Sequence, residues 1–219
     1  LALGKLLFND VNLSAPAGQS CASCHRAELG HGDQNHTVSP GANPKLFSNR
    51  NAPSIHYIKF NPELHWNAED ETWVGGFFLD GRATTLKEQA KEPLLNPLEM
   101  GNQSAIEVCE KIQKAAYAPL FQQVYRADIF NHAGNCLDAA ADAISVYEQG
   151  PEFATFTSKY DYYLRGKVKL TAIEQRGLQL FDAEDKGNCA ACHPSSMRDN
   201  DELPLFTDFS YDNLGAGSN

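Results

Sequence analysis

Hydrophobic residues recur at helical spacing along much of this chain, and the pattern predicts a mainly α-helical fold. Residues 1–9 are predicted to form a short amphipathic helix whose apolar side consists of Leu3, Leu6, Leu7 and Phe8. Helical patterns also cover residues 119–125, 137–147 and 152–164. By contrast, residues 28–51 and 66–76 are mostly polar and show little periodicity, so we expect irregular loops there.

Three capping signals mark the beginnings of further helices. Thr85-Leu-Lys-Glu88 predicts a short helix that Pro93 ends. Ser104-Ala-Ile-Glu107 and Thr171-Ala-Ile-Glu174 each predict one more, because an acidic residue follows the hydroxyl residue by three positions. The predicted apolar faces are Ile106, Cys109 and Ile112 in the second of these helices, and Ile173, Gly177, Leu178 and Phe181 in the third.

One five-residue pattern occurs twice, at Cys21-Ala-Ser-Cys-His25 and at Cys189-Ala-Ala-Cys-His193. Each copy follows a similar stretch, Gly4-Lys-Leu-Leu-Phe-Asn-Asp10 in the first half and Gly177-Leu-Gln-Leu-Phe-Asp182 in the second. A helix, a glycine-bearing loop and the motif therefore repeat in the same order, which indicates a duplication. We predict two domains, residues 1–165 and residues 166–219.

C-x-x-C-H is the attachment signature of c-type haem, in which the cysteines bond to the vinyl groups and the histidine ligates the iron. The predicted haem-binding residues are Cys21, Cys24, His25, Cys189, Cys192 and His193. A redox dithiol would be expected beside a βαβ pattern, which this sequence lacks. A zinc ribbon would keep its cysteine pairs about 15–20 residues apart, whereas the two pairs here lie in opposite halves of the chain. The predicted fold is therefore two cytochrome c-like domains, each around one covalently bound haem.

Composition adds information about compartment and partners. Of the 219 residues 42% are hydrophobic, and no apolar run approaches the roughly 20 residues that span a bilayer. The formal charge of −10 argues against a nucleic-acid partner, which requires a basic surface. An acidic surface would steer a basic redox partner, although solubility explains it equally well. The first residues lack a signal-peptide pattern, so we expect a mature or trimmed end.

Taken in order, the motifs resemble those of the bacterial di-haem cytochrome c peroxidases and the related methylamine-utilisation di-haem enzymes. The resemblance covers nearly the whole chain. It depends on Leu7-Phe8-x-Asp10, Ser20-Cys-Ala-Ser-Cys-His25, Arg50-Asn-Ala-Pro53, Asp80-Gly-Arg82, Leu86-x-x-Gln89, Pro93, Glu99-Met100, Cys189-Ala-Ala-Cys-His193 and Leu205-Phe-Thr-Asp-Phe209. In that family the N-terminal haem reacts with peroxide and the C-terminal haem relays electrons. The resemblance implies that His25 ligates the reactive iron and His193 the relay iron.

The same resemblance implies roles for further side chains. Gln89 and Glu99 match the family's distal-pocket glutamine and glutamate, so they are the predicted catalytic residues. A carboxyl group in an apolar pocket has a raised pKa and can take a proton from peroxide and return it. Asn51 matches the side-chain ligand of an inter-domain calcium site, so calcium is expected as a cofactor in addition to the two haems. Arg50 and Arg82 are candidates for haem propionate partners or for surface salt bridges.

Three features depart from the family pattern. Residues 39–49 contain no histidine to ligate the reactive iron at rest, so we predict an open sixth position, with His36 as the fallback ligand. Leu79 stands where the family commonly has an electron-transfer tryptophan, and Trp66 and Trp73 are expected to be packing residues. The sequence ends where family members continue, so we expect a fragment that lacks the distal ligand of the relay haem.

The leading hypothesis is a peroxidase that reduces hydrogen peroxide to water with electrons from a small c-type cytochrome or cupredoxin. Covalent haem attachment takes place outside the cytoplasm, so we expect a periplasmic protein. One alternative is an oxidase of a protein or organic substrate, and another is an electron carrier without turnover. Gln89 and Glu99 argue against a carrier, because electron transfer needs no acid–base pair. The resemblance also allows a homodimer.

Cys109 and Cys136 are the cysteines outside the two motifs. Both fall in the predicted helical part of the first domain, where a helix pair could bring them together. In an oxidising compartment a disulfide is expected. Two buried thiols that pack like small apolar side chains would fit the sequence as well.

Overall fold

A computed structural model describes residues 1–212 and 215 of the chain. It divides into two compact units, Leu1–Glu63 with Gly76–Ala154, and Leu64–Gly75 with Thr155–Asn219. The predicted boundary between residues 165 and 166 lies within the second unit, which also contains residues 64–75 from the predicted first domain. Helices dominate the described residues, as the hydrophobic periodicity predicted.

The secondary structure consists of short helices joined by long irregular segments. The helices are α1 (Ala2–Asn9), α2 (Cys21–Cys24), α3 (Leu86–Leu95), α4 (Ala105–Lys114), α5 (Ala118–Val124), α6 (Ala133–Glu148), α7 (Lys159–Leu164) and α8 (Ala172–Asp182), and the strands are β1 (His65–Asn67) and β2 (Thr72–Val74). Within the part of the chain that the structure describes, none of the helices has the length and apolar character of a membrane span.

Helix α6 is the centre of the first unit and packs against α1, α3 and α4. Its alanines allow close approach of the neighbouring backbones. At Gly4 of α1 the approach is so close that an added Cβ would lie 1.9 Å from the carbonyl oxygen of Ala143. The rings of Phe8, Tyr147 and Phe153 pack edge to face around this contact. This core fixes the position of α2, which follows α1 after a short loop.

Two predicted apolar faces differ from those in the structure. Leu6 of α1 is 45% exposed, because the close contact at Gly4 turns Leu3, Leu7 and Phe8 toward the core instead. Ile106 of α4 is 61% exposed, whereas Val108 is fully buried. The buried face of α4 consists of Val108, Cys109 and Ile112.

The capping boxes at Thr85 and Thr171 are confirmed. In both, the threonine hydroxyl accepts the N–H of the glutamate three residues later, and that glutamate accepts the N–H of the threonine. The prediction that Pro93 ends α3 is wrong, since the helix continues to Leu95. Proline removes only one N–H from the helical ladder, and the N–H of Asn96 still donates to the carbonyl oxygen of Glu92 at 2.8 Å.

The second unit contains an antiparallel hairpin where an irregular loop was predicted for residues 66–76. Trp66 pairs with Trp73 in the β1–β2 register, and their indole rings lie 5.6 Å apart. The Asn67 side-chain oxygen accepts the N–H groups of the next turn and so closes the hairpin. The predicted helix over residues 152–164 is also wrong, because residues 154–158 separate a short 3₁₀ turn from α7.

Candidate haem-binding active site

A cavity of about 430 Å³ lies inside the first unit. Residues from several separate parts of the sequence line it. They include every predicted site residue of this unit, namely Cys21, Cys24, His25, Asn51, Gln89 and Glu99. The structure therefore brings together the first C-x-x-C-H motif and the two predicted catalytic side chains, which lie far apart along the chain.

The first motif forms the short helix α2 and the residue that ends it. Ser20 and Ser23 form a capping box at its beginning, and the N–H of His25 donates to the carbonyl oxygen of Cys21 at 2.8 Å. The Nδ1 atom of His25 lies 3.1 Å from the carbonyl oxygen of His31. This contact fixes the ring and leaves Nε2 as the atom available to a metal. Burial lowers the pKa of His25, which favours the neutral, ligating form.

The second motif, in the other unit, holds its histidine in the same way. The Nδ1 atom of His193 lies 2.8 Å from the carbonyl oxygen of Phe206. Both acceptor residues have a left-handed backbone, with φ of 54° at His31 and 55° at Phe206. Cys189, Cys192 and His193 are all exposed in this unit. The two motifs thus share the arrangement that orients an imidazole for iron.

The side chains around the first cavity fit a covalently bound haem. Cys21 and Cys24 carry free thiols. Burial, followed by nearby acidic groups, raises the pKa of both, to about 11 for Cys24, so both are neutral. Among the described residues, the buried side-chain oxygens without a hydrogen-bond partner are Oε1 of Gln19 and Oε2 of Glu148, and both residues line this cavity. The cavity is therefore suited to a large group with some polar atoms, because it contains two thiols, one imidazole and unpartnered buried oxygens.

The two predicted catalytic side chains come from α3 and from the turn that follows it. Gln89 lies in the middle of α3, and Glu99 lies in a turn closed by its N–H donating to the carbonyl oxygen of Asn96 at 3.0 Å. The hydroxyl of Ser48 donates to Oε1 of Glu99 at 3.0 Å. Burial raises the pKa of Glu99, and the hydrogen bond from Ser48 opposes that shift. Glu99 therefore retains the raised pKa that acid–base exchange requires.

Arg50 and Arg82 line the same cavity and form ion pairs there. Each donates to Asp80 at 2.9 Å, and Arg82 also pairs with Glu92 at 3.0 Å. The guanidinium of Arg82 lies over the ring of Phe78, 3.5 Å from its centre. Salt bridges were one of the two roles predicted for these arginines, and the structure shows them. A role toward haem propionates remains a proposal.

Asn51, the predicted calcium ligand, lies among the cavity residues. Its amide nitrogen donates to the carbonyl oxygen of His36 at 2.6 Å. No cluster of three or more His, Cys, Asp or Glu suited to a metal ion occurs in the described part of the chain. Calcium takes six to eight oxygen ligands, of which the Asn51 side chain could supply one. His36 itself is exposed and pairs with Asp33 at 2.9 Å.

Glu148, the last residue of α6, is a cavity residue that the sequence did not reveal. It is only 4% exposed. It lies at the end of a helix whose periodicity predicts only packing in the hydrophobic core. The one available signal was an acidic residue beside the apolar face of a predicted helix, which is too common to indicate a site.

Replacing Ser48 with alanine is expected to move the acid limb of the pH profile to higher pH. The Ser48 hydroxyl stabilises the charged form of Glu99, so its loss raises the pKa of that carboxyl further. If the carboxylate is the active form, activity then appears only at higher pH. The measurement is kcat/KM for peroxide against pH. The control is Ser54→Ala, whose hydroxyl bonds to the carbonyl oxygen of Gly30 instead. A profile identical to the wild type would contradict the role of Ser48.

Comparison with known proteins agrees with this geometry. Residues 1–169 match the family model of di-haem cytochrome c peroxidases. The chain is 35% identical to methylamine utilization protein MauG of Paracoccus denitrificans, over 100% of this chain and 57% of MauG. It is 33% identical to cytochrome c peroxidase Ccp of Escherichia coli, over 99% of this chain and 42% of that protein. The structure superposes on the diheme peroxidase BthA of Burkholderia thailandensis with a TM-score of 0.90 and 38% identity, covering 96% of this chain and 53% of BthA.

The chain spans about half the length of the curated relatives it matches. The family model nevertheless matches most of the chain, and the matched region contains the whole of the first cavity. The resemblance read from the ordered motifs is confirmed. The chain therefore belongs to the di-haem cytochrome c peroxidase family.

Proposed function

We propose that this protein reduces hydrogen peroxide to water at the haem held by Cys21, Cys24 and His25. The observation that carries the proposal is the position of Glu99. Its carboxyl group, with a pKa raised by burial, lines the same cavity as the first haem motif. An electron carrier has no substrate with which such a group could exchange a proton.

When bound, the haem supplies the electrons that peroxide reduction consumes. The residues of this chain supply the proton transfers and the positioning. Glu99 takes a proton from peroxide and returns it to the departing oxygen, and Ser48 holds the carboxylate in place for both steps. Gln89 offers a neutral amide that can orient peroxide without competing for the proton.

We infer that the second motif holds a relay haem, so that each unit carries one haem. Electrons would come from a small c-type cytochrome or cupredoxin and pass from the haem of His193 to that of His25. A net charge of −10 would favour a basic donor. A periplasmic location follows from covalent haem attachment. A calcium ion held in part by Asn51 and assembly as a homodimer are further parts of this proposal.

The test is steady-state peroxide consumption by the protein loaded with both haems, with a reduced small c-type cytochrome as donor. We expect donor oxidation at two equivalents per peroxide, since reduction of peroxide to two waters takes two electrons. Donor oxidation that does not depend on peroxide, or no oxidation at all, would overturn the peroxidase proposal.

The likeness to MauG, over the whole of this chain, favours one second candidate. In it, the same haem pair would oxidise a protein or small organic substrate, with peroxide as the oxidant. The same assay separates the two functions. Under this alternative, peroxide would be consumed without a cytochrome donor, but only when the organic substrate is present.

Oxidised protein is expected to give a high-spin ferric signal from the first haem. His25 is the histidine that lines the cavity, and among the described residues no second histidine does so. His31 is paired with His56 at 2.8 Å, and His36 is paired with Asp33, and these pairings support an open sixth position. Electron paramagnetic resonance of the ferric protein is the measurement. Purely low-spin signals from both haems would contradict an open coordination position.

A further inference from the structure

Glu148 is a buried carboxyl group inside the haem cavity. The proposed peroxide chemistry assigns it no role. It is 4% exposed, lines the cavity and ends the long central helix α6. Its Oε2 atom is fully buried and has no hydrogen-bond partner in the described structure. Burial of an unpartnered carboxylate costs several kcal/mol, on the order of the cost of any isolated buried charge. Such a group persists in a core when something else in the cavity makes use of it.

The charge of Glu148 acts on a residue of the first motif and on a neighbour in its own helix. Its charge is, after burial, the largest influence that raises the pKa of the Cys21 thiol. It also contributes to the raised pKa of Tyr147, after burial and the contact of that tyrosine with Glu152. Cys21 and Glu148 line the same cavity, so a haem attached to Cys21 would share that cavity with the Glu148 carboxyl group.

Several charged groups on the neighbouring elements form ion pairs with residues other than Glu148. The charged residues on the elements packed against α6 are Lys5 of α1 with Asp10 directly after it, Lys87, Glu88, Lys91 and Glu92 of α3, and Glu107, Glu110, Lys111 and Lys114 of α4. Lys5 pairs with Glu152, Lys91 with Asp138 and Lys111 with Glu107. Across the cavity the charged and titratable groups are Cys21, Cys24, His25, Arg50, Asp80, Arg82 and Glu99.

Burial is the cause that raises the pKa of Glu148, to about 8. The carboxyl group therefore changes charge close to neutral pH, unlike an exposed glutamate. A charge inside a low-dielectric cavity interacts strongly with any other charge in the same cavity. An electron added to a haem there would favour the protonated form of Glu148, and removal of that electron would favour the carboxylate.

We propose that Glu148 is a redox-linked proton site of the haem carried by Cys21 and Cys24. When that haem gains one electron from a donor, the Glu148 carboxylate takes up one proton from solvent and becomes a neutral carboxylic acid. When the haem loses the electron, the acid releases the proton. One electron and one proton enter together, so the charge inside the cavity stays constant through the cycle.

This inference rests on the proposed haem site but not on peroxide turnover. Its signature is a midpoint potential that falls as pH rises. Between the pKa of Glu148 in the ferric protein and its higher pKa in the ferrous protein, each pH unit lowers the equilibrium constant for reduction by up to tenfold, which corresponds to about 59 mV for one electron. Below the ferric pKa the acid is protonated in both redox states and the potential levels off.

The experiment is a spectroelectrochemical titration of the protein loaded with both haems, between about pH 6 and 9, without peroxide. Two waves are expected, and the potential of one should fall with pH. Glu148→Gln replaces the carboxyl by an amide of similar shape that cannot titrate, so this wave should lose its pH dependence while the other is unchanged. The matched control is Glu110→Gln, which removes an exposed carboxylate of α4 and should leave both waves as in the wild type.

The titration of the wild type alone can overturn the proposal. If no proton uptake accompanies reduction, neither wave will depend on pH. A slope that persists in Glu148→Gln would assign the proton to another group. Should that variant fail to bind haem, the redox-difference infrared spectrum of the wild type provides the second test. Reduction should produce a carboxylic-acid C=O band, and its absence would contradict proton uptake by a carboxylate. Both readouts apply even if the protein does not reduce peroxide.

Discussion

Glu99→Gln is expected to lower kcat/KM for peroxide by about 10²–10⁴-fold, the range that a positioned acid–base group contributes. Glutamine preserves the shape of the side chain, and its amide oxygen can still accept the hydrogen bond from Ser48. It cannot take a proton from peroxide. The variant therefore isolates proton transfer from packing. The measurement is steady-state peroxide consumption with a reduced cytochrome donor, after haem absorbance has shown equal loading.

The pH profile gives a second, independent reading of the same residue. Burial raises the pKa of Glu99, so its carboxylate form, the proton acceptor, is lost at a higher pH than for an exposed glutamate. For the wild type, kcat/KM should rise with pH through that raised pKa, and for Glu99→Gln this limb should be absent. Glu110→Gln serves as the control, because it removes an exposed carboxylate far from the cavity lining. Unchanged turnover in Glu99→Gln would remove Glu99 from the mechanism.

Features that depend on a few neighbouring residues could be predicted from the sequence. The capping boxes at Thr85 and Thr171 each need only two side chains three positions apart, and both formed as expected. The C-x-x-C-H motifs predict their haem ligands by local spacing alone. Gln89 and Glu99 were found through the family resemblance, and the structure places both at the first motif.

Features set by distant contacts could not be predicted. Nothing near Glu148 indicates that its helix ends inside a cavity formed with Cys21. The exposed positions of Leu6 and Ile106 follow from how α1 and α4 lie against α6, since their own periodicity fits more than one buried face. The hairpin of Trp66 and Trp73 has strands of only three residues, too short for a clear alternating pattern.

Removal of the disulfide between Cys109 and Cys136 is expected to cause a large loss of stability in the first unit. The structure forms this bond between α4 and α6, with 6.0 Å between the Cα atoms, and so decides between the two alternatives left open by the sequence. The bridge closes a loop of 27 residues. Under the chain-entropy model, such a cross-link lowers the entropy of the unfolded chain and stabilises the fold by about 3–4 kcal/mol.

Oxidised and thiol-reduced wild type should therefore differ in their free energy of unfolding by roughly that amount. The comparison retains both cysteine side chains, so it measures mainly the cross-link. Haem thioethers are carbon–sulfur bonds that thiol reductants do not cleave, so haem loading stays constant. Denaturant titration followed by helical circular dichroism and by haem absorbance gives the two free energies.

The double variant Cys109→Ala and Cys136→Ala separates the cross-link from packing. Both cysteine residues are buried, at 5% and 0% exposure, so alanine also leaves small cavities between α4 and α6. The variant should consequently be less stable than reduced wild type by up to a further ~1–2 kcal/mol, and it should not respond to the reductant. Equal stability of oxidised and reduced wild type would contradict a stabilising bridge. In that case α4 and α6 would be held together by the contacts of Val108, Ile112 and the α6 alanines alone.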